Sequence, residues 1–277
     1  MEHNKGIVSY TDLTIKFNNY YLRAMISIVL LGAGNVAIQL CKAFDNSEGF
    51  EVIQVYNRTN KSLENFPSIL SKTTTLSKIK TADIYIIAVS DDAIPSFSES
   101  LPFTNKLVVH TSGSVSMGAL SDRNRKGVFY PLQTFSKNSD IFFSEIPICI
   151  ETSDESDISF LKTMGKCISN SVLEITSEKR EKLHLSAVIV NNFVNYLYQV
   201  GNELLEEQSL PFDLLKPLIL ETANKIKNLT PIEAQTGPAK RNDKKTIEKH
   251  LHLLKDSPNK EIYQNITNAI LKKYNNH

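Results

Sequence analysis

The chain has 277 residues, of which 41% are hydrophobic and 22% charged, and its formal net charge is +1. These are ordinary globular values for a length that can build two cores, and the near-neutral balance excludes a nucleic-acid or membrane partner held by bulk charge. Cys41, Cys149 and Cys167 show neither Cys-x-x-Cys nor metal-ligand spacing, which points to packing residues in a reducing, cytoplasmic compartment and to no metal.

Residues 1–24 are polar and aperiodic and precede Met25; they read as an N-terminal extension, disordered or produced by a misassigned start. The apolar stretch from Ala24 to Gly34 has the look of a short signal peptide, yet it is far shorter than a ~20-residue membrane span. Its residues serve better as a first strand, Ile26 to Leu31, running into Gly32-Ala33-Gly34-Asn35-Val36-Ala37. Gly-x-Gly-x-x-Ala in that position suits a dinucleotide pyrophosphate: Gly32 permits a tight turn, Gly34 lets backbone approach the phosphates, and Ala37 lets the next helix pack close. The helix, from about Asn35 to Phe44, presents its free N–H groups and dipole to the anion.

A second strand, Val52 to Tyr56, completes a strand–helix–strand unit of about 30 residues. An NAD site usually carries an acid at its end to accept from the ribose 2′-hydroxyl, but here Asn57-Arg58-Thr59 follow, and no acid occurs until Glu64. A guanidinium with short polar neighbours suits a 2′-phosphate, so the expected cofactor is NADP.

Further strands are predicted at Asp83–Val89, Lys106–His110, Gly127–Tyr130, Ile146–Glu151 and Ser171–Thr176, with a helix over Asp154–Ile168. The alternation predicts an α/β domain, residues 25–176, with a mostly parallel, doubly wound sheet. Ligands of such sheets lie beyond the carboxyl ends of the strands, so Val89 and Ser90, and His110 and Thr111, are expected to border the nicotinamide half of the cofactor. Asp91 or Asp92 is expected to cap the following helix. His110 reads equally as a core histidine or a catalytic one.

From residue 177 the pattern becomes helical: about Ser177–Gln208, Pro211–Asn228, Asp243–Lys255 and Pro258–Lys273, an all-α domain over 177–277. No Asp, Glu, Lys or Arg occurs from Leu183 to Asn202, so both faces of that helix are expected to be covered, and His184, Asn191, Asn195 and Asn202 fall near one line at 100° per residue. The stripe reads as an active-site wall, a dimer interface or a structural polar network. Thr230 to Asp243, with Thr236-Gly237-Pro238, reads either as a rigid loop with Asp243 capping the next helix or as a ligand-binding loop with Thr236 as a donor to an anion.

Gly32-Ala33-Gly34-Asn35-Val36-Ala37, His110 to Ser114, Val128-Phe129-Tyr130-Pro131-Leu132-Gln133-Thr134-Phe135, His184 with Asn191-Asn192, and Thr236-Gly237-Pro238 through Asp243 together resemble Rossmann-like proteins with a C-terminal helical domain of unassigned function. That family is described as similar to deazaflavin-dependent NADP oxidoreductases. The resemblance covers Met25 to Lys273 and implies kinship with pyrroline-5-carboxylate reductases and β-hydroxyacid dehydrogenases. The latter place a catalytic Lys four residues before an Asn on the first long helix; here Lys182 precedes Ser186 at that spacing, and Ala187, Val188 and Asn191 precede Asn191, Asn192 and Asn195. His184 is then the expected proton donor, with Tyr130 or His110 behind it and Asn191 orienting a carbonyl. The expected activity is reduction of a small carbonyl or imine by NADPH in a homodimer joined through the C-terminal helices. The alternatives are a non-catalytic NADP-binding module and a deazaflavin-linked NADP reductase.

Overall fold

The computed structural model describes residues 25–137 and 141–275, so the expected extension over residues 1–24 lies outside the described residues. Eight strands form one sheet in the order β3-β2-β1-β4-β5-β6-β7-β8: β1 Ile26–Leu31, β2 Phe50–Tyr56, β3 Ser71–Thr73, β4 Ile84–Ile87, β5 Leu107–His110, β6 Arg125–Pro131, β7 Ile148–Thr152 and β8 Val172–Glu174. Every pairing is parallel except β6 with β7, where Tyr130 lies opposite Cys149. This is a Rossmann-type sheet, and the short β3 is the strand that the sequence pattern leaves unmarked, because Ser71-Lys72-Thr73 carries no apolar run.

Side-chain alternation divides the core in two. Ile28 and Leu30 face α1 (Asn35–Asp45) and α4 (Glu155–Lys166), joining Ala37, Leu40, Phe44, Leu161 and Met164; Val29 and Leu31 join Tyr85, Ile87, Val108 and Ile94, the last on α3 (Ile94–Glu99). Asp154 caps α4 through the N–H groups of Ser156 and Asp157. α2, a single turn at Asn60–Leu63, follows β2. Cys41 and Cys149 are buried as expected; Cys167, at the C-terminal end of α4, is exposed and is not a packing residue.

The described remainder is helical: α5 Ser177–Ala187, a π-turn Val188–Phe193, α6 Val194–Glu206, α7 Lys216–Lys225, α8 Pro231–Ala234, α9 Lys244–Leu253 and α10 Lys260–Asn275. The chain divides into two compact units that meet at Asn191/Asn192, one helix later than the change of pattern at Thr176/Ser177. α5 belongs to the first unit because Arg180 sends its guanidinium into that unit's core.

The long uncharged helix differs from expectation in two ways. The π-turn breaks the 100° register, so residues before and after it do not continue one α-helical line. Its faces are not fully covered by the described residues: Leu185, Ile189, Val190, Phe193 and Tyr196 are exposed, as are Asn191 and Asn195, while Asn202 donates to Glu206 one turn on. No helix among the described residues is long and apolar enough to cross a membrane.

Candidate functional site

The strand order reverses between β1 and β4, and the glycine turn sits at that point. Gly32 has φ +122°, a left-handed conformation that favours glycine, and a Cβ there would overlap the Ala88 carbonyl just past β4. Its N–H donates to Tyr56 O at 2.8 Å, and Ala88 N–H donates to Leu31 O at 2.8 Å, so the turn is pinned to both neighbouring strands. Gly34 is the N-cap of α1 with no side-chain cap, and a Cβ on it would meet nothing within 4 Å. Open space therefore lies before uncapped helical N–H groups, which is the geometry that receives a pyrophosphate. Ala37 is buried, with Val36 beside it packed against the core. The Asn35 amide donates to Phe135 O at 2.9 Å and so fastens the segment after β6 to α1.

Beyond β2, Asn57 donates to the carbonyl and hydroxyl of Thr59 at 2.9 and 3.2 Å, shaping a turn on which Arg58 is exposed and makes no ion pair among the described residues. Val89 is half-buried and Ser90 exposed after β4. Neither Asp91 nor Asp92 caps α3, whose N-cap is Ala93 without a side-chain hydrogen bond; Asp91 instead accepts from the Ser114 hydroxyl, joining the loops after β4 and β5.

His110 is wholly buried at the end of β5. Its Nδ1 accepts from Ser112 N–H at 3.2 Å, while Nε2 has no hydrogen-bond partner among the described residues. Burial, and then the positive charge of Arg180, push its pKa down to about 4 against the opposing pull of the Ser116 carbonyl and Asp91. Its full enclosure in the sheet favours the core reading of His110 over the catalytic one. Thr111 N–H donates to Ile87 O at 3.1 Å and holds the loop to β4.

Tyr130 and His184 meet: the phenol oxygen lies 3.0 Å from His184 Nδ1, with the rings edge to face. Burial raises the Tyr130 pKa to about 12, with Cys149 and Asp91 adding and Arg180 opposing, so the phenol keeps its proton. A Cβ at Gly113 would overlap both rings, which makes glycine the residue that fits in the Ser112-Gly113-Ser114 turn.

The pair is positioned by a buried ionic cluster that sequence reasoning missed. Arg180 has 0% exposure and bonds the Glu151 carboxylate, the Val115 carbonyl and the Ser177 hydroxyl. Glu151 also accepts from Ser177 N–H and hydroxyl at 2.8 Å each, and the Ser177 hydroxyl accepts from Met117 N–H at 3.0 Å. α5 is thereby clamped to β7 and to the loop after β5, and His184, four residues after Arg180, lies on the clamped face. A lone Arg in the charged run Ser177–Lys182 gives no sequence signal of burial. In the second unit, Thr230 and Glu233 form a capping box, Gly237 has φ +104°, and Asp243 caps α9 by accepting from Thr246 N–H at 3.1 Å.

A parallel sheet in this order, with the glycine turn at its reversal and a helical unit after it, defines a Rossmann-fold protein of two-unit type. No curated protein matches the chain. Residues 146–270 match a domain of unknown function, DUF2520. The crystal structure of BF3122 from Bacteroides fragilis, provisionally described as an NADP oxidoreductase, is 39% identical, with 89% of this chain and 98% of that one covered and a TM-score of 0.80. The chain belongs to the same family as that protein. TM1727 from Thermotoga maritima has the same fold at 21% identity, covering 88% of this chain and 97% of that chain with a TM-score of 0.75. So does a Plasmodium falciparum pyrroline carboxylate reductase with NADP bound, at 15% identity, 90% and 97% coverage and a TM-score of 0.57.

Proposed function

We propose that the protein is an NADP-dependent oxidoreductase of the cytoplasm that moves a hydride between NADPH and a small carbonyl or imine. The observation that carries the reading is the open, uncapped start of α1 behind Gly32, combined with the unpaired Arg58 in place of an acid after β2. The Bacteroides fragilis relative supports it. Gly32, Gly34, Asn35, Val36 and Ala37 hold the pyrophosphate, and Asn57, Arg58 and Thr59 take the 2′-phosphate. Val89, Ser90, Thr111 and the backbone of His110 border the nicotinamide half.

The cofactor, when bound, supplies the hydride. The chain's own part is to place the acceptor, exclude water and provide a proton. With the Tyr130 phenol as the donor in its bond to His184 Nδ1, the imidazole proton sits on Nε2 and is the one available to an acceptor oxygen or nitrogen. Asn191 orients the carbonyl. His184→Gln tests the assignment once NADPH consumption has been followed against a panel of keto compounds and imines. Turnover is expected to fall at least ~10²-fold with the melting temperature little changed. Near-normal turnover in a folded variant would remove His184 from the mechanism.

The same reading includes a homodimer joined through the C-terminal helices. It is supported by the exposed Leu185, Ile189, Val190, Phe193 and Tyr196 along the first long helix and, separately, by the exposed Leu218, Leu220 and Ile226 on and just after α7. Light scattering that finds a monomer at micromolar concentration would refute it.

A further inference from the structure

The helical unit contains a cavity of about 330 Å³ that the cofactor reading does not use. Its walls are apolar, with Leu197 and Leu204 of α6 and Ile262, Ile266 and Ile270 of α10 among them, and the Thr236–Ala239 turn lies at its edge. None of the residues lining it is Asp, Glu, Lys or Arg. Five lining residues are polar: Thr236 at the edge, Asn259, whose amide donates to Glu203 Oε2 at 3.1 Å, and the group His250, Tyr263 and Thr267. His250 Nδ1 and the Tyr263 hydroxyl lie 2.8 Å apart, and Thr267 is only 6% exposed.

Hydrogen-bond arithmetic shows what these groups lack. A neutral His250 and Tyr263 carry two polar protons between them, one on the imidazole and one on the phenol, and their mutual bond uses one. Whichever tautomer is present, one N–H or O–H donor remains. Thr267 adds another: the helical threonines Thr163 and Thr222 return their hydroxyls to the carbonyls four residues back, at 3.0 and 2.8 Å, whereas the Thr267 hydroxyl makes no hydrogen bond with any described residue. Lining the cavity without an internal acceptor, the Thr267 hydroxyl is free to donate to an oxygen of a bound molecule.

We propose that this cavity is a binding site for a compact neutral carbonyl compound: an apolar body on the order of ten non-hydrogen atoms, and one oxygen accepting from Thr267 and the His250–Tyr263 pair. A carboxylate fits less well, because it would be desolvated against apolar walls with no cation among them. The proposal is independent of the cofactor reading, since it uses no residue of the first unit.

The test titrates the full-length protein calorimetrically with benzylacetone, its hydrocarbon counterpart butylbenzene, and phenylbutyrate. Benzylacetone is expected to saturate one site per chain and to bind roughly three- to tenfold more tightly than butylbenzene, the worth of a net hydrogen bond, and more tightly than phenylbutyrate. Thr267→Val and Tyr263→Phe should bring ketone and hydrocarbon toward equal affinity, leaving hydrocarbon binding intact. Ile266→Trp, or Leu204→Phe if the first variant fails to melt cooperatively, should block all three ligands. The proposal is overturned by equal affinity for ketone and hydrocarbon in the unmodified protein, by binding that survives a folded blocking variant, or by no saturable binding. It is equally overturned if binding appears only at dilutions where light scattering shows a monomer, which would make the cavity a seat for a second copy.

Discussion

In the first unit the central strands bury nearly all their apolar side chains: Ile28 to Leu31 and Ile84 to Ile87 are all at or near 0% exposure, and the one buried guanidinium described there has a carboxylate. The helical unit is built differently. Its buried apolar set is small, Ala239, Ile247 and Leu254, while Leu214, Leu218, Leu220, Ile226 and Ile232 stand exposed on or beside α7 and α8. A sheet covered by helices completes its own core, whereas short helices with apolar surface on several sides leave area that only a further surface or ligand can remove from water. The first unit should therefore respond to substitutions as an isolated folded body, and the second as a body whose state depends on what meets it.

The largest expected effect tests the self-sufficiency of the first unit. Arg180→Leu leaves Glu151 in the interior without its cation, which should cost about 3–5 kcal/mol. Calorimetry should then show a melting temperature lower by on the order of 10 °C. Arg180→Leu with Glu151→Leu should recover most of the loss, because the penalty belongs to the orphaned charge. A single variant that melts like the unmodified protein would show that the clamp is not what holds α5.

His110 gives the next effect and fixes its sign. The unfolded imidazole takes up its proton near pH 6.5 and the buried one only near 4, so the unfolded state binds more protons between those values. The contribution is fully present above pH 6.5 and is lost as pH falls toward about 4, amounting to at most about 3 kcal/mol. His110→Asn, which keeps an acceptor for Ser112 N–H, should flatten the dependence of denaturation midpoints on pH in that window. Parallel profiles for variant and parent would show that His110 is not the group responsible.

The helical unit answers to a different measurement. Phe193→Glu or Tyr196→Glu puts a charge on the exposed apolar face and should weaken the proposed dimer at least 100-fold, about 2.7 kcal/mol, while leaving the melting of the first unit nearly unchanged. Sedimentation showing the same assembly in both variants would move the interface elsewhere.

The contrast between the units also explains what was legible in the sequence. Strand β4 is a continuous apolar run, β1, β2 and β5 are mostly apolar, and the glycine turn has chemistry that few alternatives share, so the central strands and the turn after β1 could be read from the sequence. The pairing of Tyr130 with His184, 54 positions apart, depends on a clamp made from Glu151, Ser177 and Arg180, none of which has a local pattern that marks it as buried. The π-turn at Val188–Phe193 was illegible for a related reason: periodicity arguments assume one rise and one angle, and an inserted residue in the ladder leaves composition unchanged. Asp91 shows the limit of local capping rules, since a nearby hydroxyl from another loop won the carboxylate.

The smallest effect is the most discriminating for the proposed cofactor. Arg58 is exposed on the turn shaped by Asn57 and Thr59, so its guanidinium is available to a 2′-phosphate but remains partly screened by water. Arg58→Ala should weaken NADPH by about 1–3 kcal/mol, the worth of a charge-assisted hydrogen bond, and leave NADH nearly unchanged because that dinucleotide carries no 2′-phosphate. Raising the salt should shrink the difference between the two cofactors in the unmodified protein and scarcely alter it in the variant. Equal loss for both dinucleotides would mean that Arg58 shapes the loop and does not read the phosphate; tighter NADH than NADPH in the unmodified protein would overturn the preference itself.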